Sequence, residues 1–219
     1  MKENLRTFLS IIEKERRDEA LLFVQDLLEK KEMTFFEVYE EILGPSLNEM
    51  ESTGNPNIDI WNEHIRTAMI KTIVENCYHY VVQERREIHA ENRKTVVVFC
   101  PPNEYHSVGA RMVTDIFTYL GFTAIFVGGN TPFRVLEAGL KSRKIDYVAI
   151  SISNPYHLIS TRNMIQDIRK IDADVKIIIG GNAVRRFGER AESLQADYIM
   201  TTFKELETLE KGAHDETGL

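Results

Sequence analysis

Over the first ninety residues, apolar positions recur at helical spacing with almost no strand signal. Residues 4–15 place Leu5, Leu9, Ile11 and Ile12 on one face, and residues 17–31 do so with Leu21, Leu22, Val24, Leu27 and Leu28. After a candidate cap at Thr34, a third helix takes in Phe35, Phe36, Val38, Tyr39, Ile42 and Leu43. Pro45 kinks or interrupts it before Leu47 and Met50 resume the apolar face. Residues 52–57, STGNPN, read as a loop, and Asp59 as the N-cap of a long helix from residue 60 to about residue 88. Four or five such helices pack naturally as an antiparallel bundle.

The pattern changes at residues 85–94, RREIHAENRK, a charged stretch that reads as a domain boundary. Beyond it, continuous apolar runs alternate with amphipathic ones. Strands are predicted over residues 95–99, 123–127, 147–152, 175–179 and 198–200. Helices are predicted over residues 108–120, 132–142 (with Pro132 in the first turn), 158–171, 183–194 and 203–211. Repeated βα units with fully apolar strands mean a parallel sheet covered by helices on both faces. The expected fold class is therefore α/β: an N-terminal four-helix-type bundle over residues 1–89, then a flavodoxin/Rossmann-like five-stranded parallel sheet over residues 90–212. Residues 213–219 read as a disordered tail.

Composition narrows this little. A hydrophobic content of 43% with 28% charged residues is ordinary for a soluble globular chain. A net charge of −7 argues against direct nucleic-acid binding. No apolar run is long enough to span a membrane and MKENLRTFLS lacks an apolar signal core, so a cytoplasmic protein is expected. Cys77 and Cys100 are the only cysteines and lie far apart, which disfavours a disulfide framework or a cysteine zinc site.

Chemistry gathers at the carboxyl ends of the predicted strands, where a sheet of this kind binds its ligands. The first strand delivers Glu104-Tyr105-His106-Ser107-Val108-Gly109, an E-x-H-x-x-G run opening a helix. A histidine with a carboxylate two residues before it is a candidate metal ligand with its own orienting partner. The second strand delivers Val127-Gly128-Gly129-Asn130-Thr131-Pro132, the third Ser151-Ile152-Ser153-Asn154-Pro155, the fourth Gly180-Gly181-Asn182. Small residues there leave room beside the sheet and let a ligand approach the backbone. Each element alone is also common in any doubly wound fold, and a single loop histidine is usually a surface residue.

Taken together, E-x-H-x-x-G, V-G-G-N-x-P, S-x-S and G-G resemble the signature of cobalamin-binding domains, which usually reads D-x-H-x-x-G, then S-x-L or S-x-T, then G-G. The resemblance covers about residues 95 to 212. It implies cobalamin as cofactor, as adenosylcobalamin or methylcobalamin, held base-off with His106 as the lower cobalt ligand. It makes Glu104 the partner of His106. It implies cofactor contacts from Tyr105, Ser107, Val108, Gly109, Val127, Gly128 and Asn130. Ser151, Ser153, Gly180 and Gly181 would line the nucleotide tail.

In the helical half, WNEHIRTA resembles the E-H-x-x-T/S-A element of light-sensing, cobalamin-dependent regulators of the MerR type. That implies Glu63 and His64 facing the upper side of cobalt, with His64 a candidate upper ligand. The alternative is a hydrogen-bonded histidine on an ordinary helix face. Those regulators also carry a tryptophan some ten residues before the pair and a winged helix-turn-helix; here Trp61 directly precedes the pair, and this sequence opens in the bundle.

The reading this favours is a cobalamin-dependent sensor or photoreceptor-like signalling module, without its own DNA-binding domain, acting through a homo-oligomer or a separate protein partner. The alternative is a corrinoid methyl carrier of a methyltransferase system, whose motif more often reads D-x-H-D-x-G-K-N. Ser107, Ala110 and Arg111 occupy the D, K and N positions here. A domain that binds another ligand, or none, is the third reading. No P-loop, zinc motif or dinucleotide fingerprint marks the chain as a self-sufficient enzyme.

Overall fold

The computed structural model describes residues 2–87 and 93–215. Contacts divide the chain into two compact units, Met1–Gln83 and Glu84–Leu219. His89 and the tail from residue 216 lie outside the described residues.

The first unit is helical: α1 (Lys2–Ile12), α2 (Arg17–Glu29), α3 (Phe35–Val38), a π-helical turn over Tyr39–Leu43, α4 (Gly44–Asn48) and α5 (Pro56–Gln83). Thr34 caps α3 as expected, its hydroxyl accepting from the Glu37 N–H at 3.2 Å while Glu37 accepts from the Thr34 N–H at 2.8 Å. The wide turn before α4 follows from Pro45, which has no N–H for the carbonyl four residues back. Gly44 instead donates to the Tyr39 carbonyl, five residues back. Phe8, Val24, Phe35, Tyr39, Ile42, Ile70 and Val74 are buried in the core, with Phe35 edge-on to Tyr39 at 5.7 Å.

Three expectations need correcting here. Leu22, placed on the apolar face of α2, is 63% exposed, because Ala20, Val24, Leu27 and Leu28 already fill the buried stripe. Asp59 is not the N-cap of α5, which starts at Pro56. Its carboxylate instead accepts from the Ser52 hydroxyl at 2.6 Å and from the Thr53 N–H and hydroxyl at 2.8 and 2.7 Å, folding the preceding loop back on the first turn. Those bonds, from Ser52 first, lower its pKa. Finally, α5 ends at Gln83 rather than near residue 88.

The second unit alternates β1 (Thr95–Phe99), α6 (Val108–Tyr119), β2 (Thr123–Gly128), α7 (Phe133–Ser142), β3 (Tyr147–Ser151), α8 (Leu158–Ile171), β4 (Lys176–Gly180), α9 (Asn182–Arg186), α10 (Gly188–Glu192), β5 (Tyr198–Met200) and α11 (Phe203–Asp215). The strands form one parallel sheet in the order β2-β1-β3-β4-β5, the flavodoxin-like order expected. Val97, Phe99, Val148, Ile150, Ile177 and Ile179 meet Leu136 of α7 and Leu158, Ile165 and Ile168 of α8 on one face. On the other face α6 packs on β1 and β2, and α11 on α6.

The single helix expected over residues 183–194 is two short ones. Phe187 breaks it with a backbone at φ −127°, ψ 48°, its ring packed against the apolar core. Pro132 precedes α7 at the N-cap rather than within its first turn. The last helix runs to Asp215, past the expected end at residue 211. None of the helices among the described residues is long and apolar enough to cross a membrane.

Candidate functional site

The switch in strand order lies between β1 and β3, and the chemistry-bearing loops meet at their carboxyl ends. The loop after β1 turns sharply at Asn103, whose φ is 66°, and places Glu104 inward and His106 outward ahead of α6. The Glu104 side chain has no exposure, whereas that of His106 is 53% exposed. Between them, His106 Nδ1 lies 2.6 Å from Glu104 Oε1, which also accepts the His106 main-chain N–H at 3.1 Å.

A second set of donors comes from the loop after β3. The main-chain N–H groups of Ser153 and Asn154 donate to Glu104 Oε2 at 3.0 and 2.7 Å. Burial alone would raise the pKa of this carboxyl group, but the bonds from His106 and from the Asn154 and His106 N–H groups overcome it and lower it from 4.5 to about 2. Glu104 is therefore ionised throughout the physiological range. A carboxylate can only accept, so the proton on Nδ1 points at it, and in the neutral imidazole the lone pair then lies on Nε2.

That donor set fits cobalt in a corrinoid. A single neutral imidazole, backed by a buried anion that fixes its tautomer and raises its basicity, suits an axial position whose other ligands the macrocycle supplies. The carboxylate–imidazole pair expected from E-x-H is thus in place.

The other expected residues divide by what they do in the fold. Tyr105 is 70% exposed beside His106, and Val127 is also exposed. Ser107 takes the N-cap position of α6 without a side-chain cap bond, and Val108 starts the helix, buried. Gly109 has open space where a Cβ would stand. Gly128 has φ 112°, and Asn130 turns back against the β1 loop, its N–H donating to the Glu104 carbonyl at 2.7 Å. Ser151 is buried near Cys100, whose thiol donates to the His106 carbonyl at 3.7 Å. Burial, then the charge of Glu104, push that thiol up to about 12 against the influence of Ser151.

The glycine pair has a steric basis in the fold itself, beside the cofactor contact expected of it. A Cβ on Gly181, whose φ is 101°, would lie 2.5 Å from the Ile152 carbonyl oxygen. One on Gly180 would lie 2.8 Å from the Met200 carbonyl oxygen. Close approach of the chain to its own neighbouring strands already requires glycine at both positions.

In the helical unit, His64 Nδ1 lies 2.7 Å from Glu63 Oε2, and Glu63 Oε1 accepts from the Thr67 hydroxyl at 2.9 Å. The His64 side chain is 73% exposed. The carboxylate-on-imidazole arrangement of Glu104 and His106 is thus repeated there on one helix face.

The amides of Ser153 and Asn154 escaped sequence reasoning because any residue supplies an N–H. Asn154-Pro155 is a turn-forming dipeptide, and the Asn154 side chain accepts from the Tyr156 N–H at 3.0 Å.

Among known structures, the fold is similar to a monomethylamine corrinoid protein of Methanosarcina barkeri. That match has a TM-score of 0.73 at 14% identity and covers 95% of this chain and 97% of the other. It is also similar to a cobalamin-binding protein from Desulfitobacterium hafniense DCB-2, at a TM-score of 0.50 and 16% identity, covering 95% and 98%. No curated protein sequence matches the chain. Residues 94–209 match the B12 binding domain, more than half of the 219 residues, and the chain belongs to that family.

Proposed function

We propose that the protein holds cobalamin base-off, with His106 Nε2 as the lower cobalt ligand, and serves as the corrinoid methyl carrier of a methyltransferase. The observation that carries this reading is the His106 imidazole, half exposed at the strand ends and 2.6 Å from the buried, ionised Glu104. When bound, the corrinoid supplies a cobalt ion that accepts and gives up a methyl group. The chain's own residues do the rest. Glu104 keeps the proton on Nδ1 and so presents a lone pair from Nε2, while the bonds from His106 and from the Asn154 amide keep Glu104 charged.

The carrier reading stands ahead of the sensor reading favoured by the sequence. The fold of a protein named as a monomethylamine corrinoid protein runs with this chain over 95% of its length, helical unit included. The Glu63–His64 resemblance to light-sensing regulators rests on one short helix segment. His64 stays a candidate second cobalt ligand on that resemblance, and a methyltransferase replaces a signalling protein as the expected partner.

The test uses full-length protein grown with heavy-nitrogen histidine and loaded with cob(II)alamin. Electron paramagnetic resonance should show the axial nitrogen splitting as a doublet, against a triplet for unlabelled protein, and His106→Ala should lose the doublet. A triplet from labelled protein means the corrinoid's own base is still bound and defeats the assignment. Transfer of a labelled methyl group to the loaded protein by a methyltransferase supports the carrier. A change of oligomeric state on illuminating protein loaded with adenosylcobalamin restores the sensor.

A further inference from the structure

The loop that carries Glu104 and His106 is gripped from the edge strand as well as from β3. Asn130, just beyond β2, donates its main-chain N–H to the Glu104 carbonyl at 2.7 Å, and its side-chain Oδ1 accepts the Asn103 N–H at 2.8 Å. One residue thus brackets two consecutive residues of the ligand loop. Both partners sit in the left-handed region, Asn130 at φ 49° and Asn103 at φ 66°, a conformation unfavourable for most side chains and tolerated by asparagine.

The surrounding backbone is arranged for this grip. Register slips at the end of β2, where Val98 pairs with Phe126 but Phe99 with Gly128, re-aiming the chain as it leaves the sheet. A Cβ on Gly129 would lie 3.2 Å from the Glu104 carbonyl oxygen and 3.3 Å from Ser107 Cβ, so the two loops touch closely and a side chain there would push them apart by a few tenths of an ångström. Cys100 and Thr131 complete the contact: the Cys100 N–H donates to the Gly128 carbonyl at 2.9 Å, and the Thr131 N–H to the Cys100 carbonyl at 3.0 Å. The bond from Asn130 Oδ1 to the Asn103 N–H depends on side-chain identity, whereas those from the N–H groups of Asn130, Ser153 and Asn154 do not depend on the identity of the donor residue.

We propose that Asn130 is a positioning residue: it holds residues 103–106 in the one arrangement that presents His106 Nε2 to cobalt, and it does so through Oδ1 rather than by touching the corrinoid. This rests on His106 being the lower ligand.

Full-length wild type, Asn130→Gly and Asn130→Asp are titrated with cob(II)alamin, following the axial histidine signal. Glycine keeps the left-handed backbone but removes the acceptor, and aspartate keeps an acceptor oxygen at the same reach. Loss of one hydrogen bond should weaken His-on binding about five-fold in Asn130→Gly. Asn130→Asp should recover most of it, and thermal melting of both unloaded variants should stay near wild type. Equal binding by Asn130→Gly and wild type overturns the proposal, as does equal impairment of the two variants.

Amide hydrogen exchange on the unloaded wild type tests the grip without any substitution. Protection is expected at Asn103, although its side chain is exposed, and fast exchange there overturns the proposal too. If wild type itself shows no histidine nitrogen on cobalt, the lower-ligand assignment has failed. If wild type shows it and the variants do not differ, only the role of Asn130 has.

Discussion

Glu104 holds two loops and one imidazole at once, and its substitution by glutamine separates those tasks. With its NH₂ toward His106, glutamine would donate to Nδ1 and move the imidazole proton to Nε2, abolishing the ligating lone pair. With its oxygen toward His106, the NH₂ would face the N–H groups of Ser153 and Asn154, donor against donor. Either way Glu104→Gln should weaken His-on cobalamin binding by about ten-fold or more, read from the histidine nitrogen splitting.

The same carboxylate gives unloaded protein a pH dependence. Its folded pKa is depressed from 4.5 to about 2, so its contribution to stability is complete above about 4.5 and is lost as pH falls toward 2. Acid melts of wild type should show that loss, and those of Glu104→Gln should show less of it. Parallel curves would mean that Glu104 is not held ionised. The residues E-x-H were legible as a pair in the sequence. What keeps Glu104 charged was legible only in part, because the main-chain N–H of Asn154, from a loop some fifty residues away, adds to the bond from His106.

At the level of elements, the G-G turn after β4 shows how one motif can satisfy two readings. Gly180 and Gly181 were expected to leave room for a nucleotide tail, but the carbonyl groups of Met200 and Ile152 already occupy the directions a side chain would take. Gly181→Ala combines that clash with a backbone at φ 101° and should cost unloaded protein roughly 3 kcal/mol of stability, measured by urea unfolding. A variant that melts like wild type yet loses cobalamin would restore the tail-contact reading. The break at Phe187 was equally hidden, since the pattern over residues 183–194 is a continuous amphipathic helix. Asp59 taught the converse: an aspartate just before an apolar run looked like a cap, but Pro56 starts the helix first and Asp59 secures the loop instead.

Across the chain, the second unit begins before the matched family region. Arg86 donates its N–H to the Tyr119 carbonyl at 2.8 Å, lies over the Tyr119 ring at 4.9 Å and pairs with Glu207 at 2.8 Å. Arg85 donates to the Phe122 carbonyl at 3.0 Å. The main-chain N–H of Arg86 thus takes a carbonyl that the end of α6 leaves without a helical partner, and Arg85 reaches the turn just beyond it. A fragment of residues 84–219 should therefore fold with one cooperative melt, and one of residues 94–219 should melt several degrees lower. Equal melting of the two would show that Arg85 and Arg86 add nothing to the unit.

The order of elements and the parallel sheet were readable from local pattern, and so was His106 as a candidate ligand, because strand and helix periodicity and the β1 motif are written in consecutive residues. The boundary near residues 85–94 was readable as a charged stretch, although the anchoring of Arg85 and Arg86 on α6 was not. Packing and hydrogen bonding between distant loops supplied the rest. They set the charge state of Glu104, the tautomer of His106, the grip of Asn130 on residues 103–104 and the steric reason for Gly180-Gly181. The charge of Glu104 and the glycine pair depend on main-chain groups from other loops and strands, and a main-chain N–H or C=O leaves no mark in the identity of the residue that carries it.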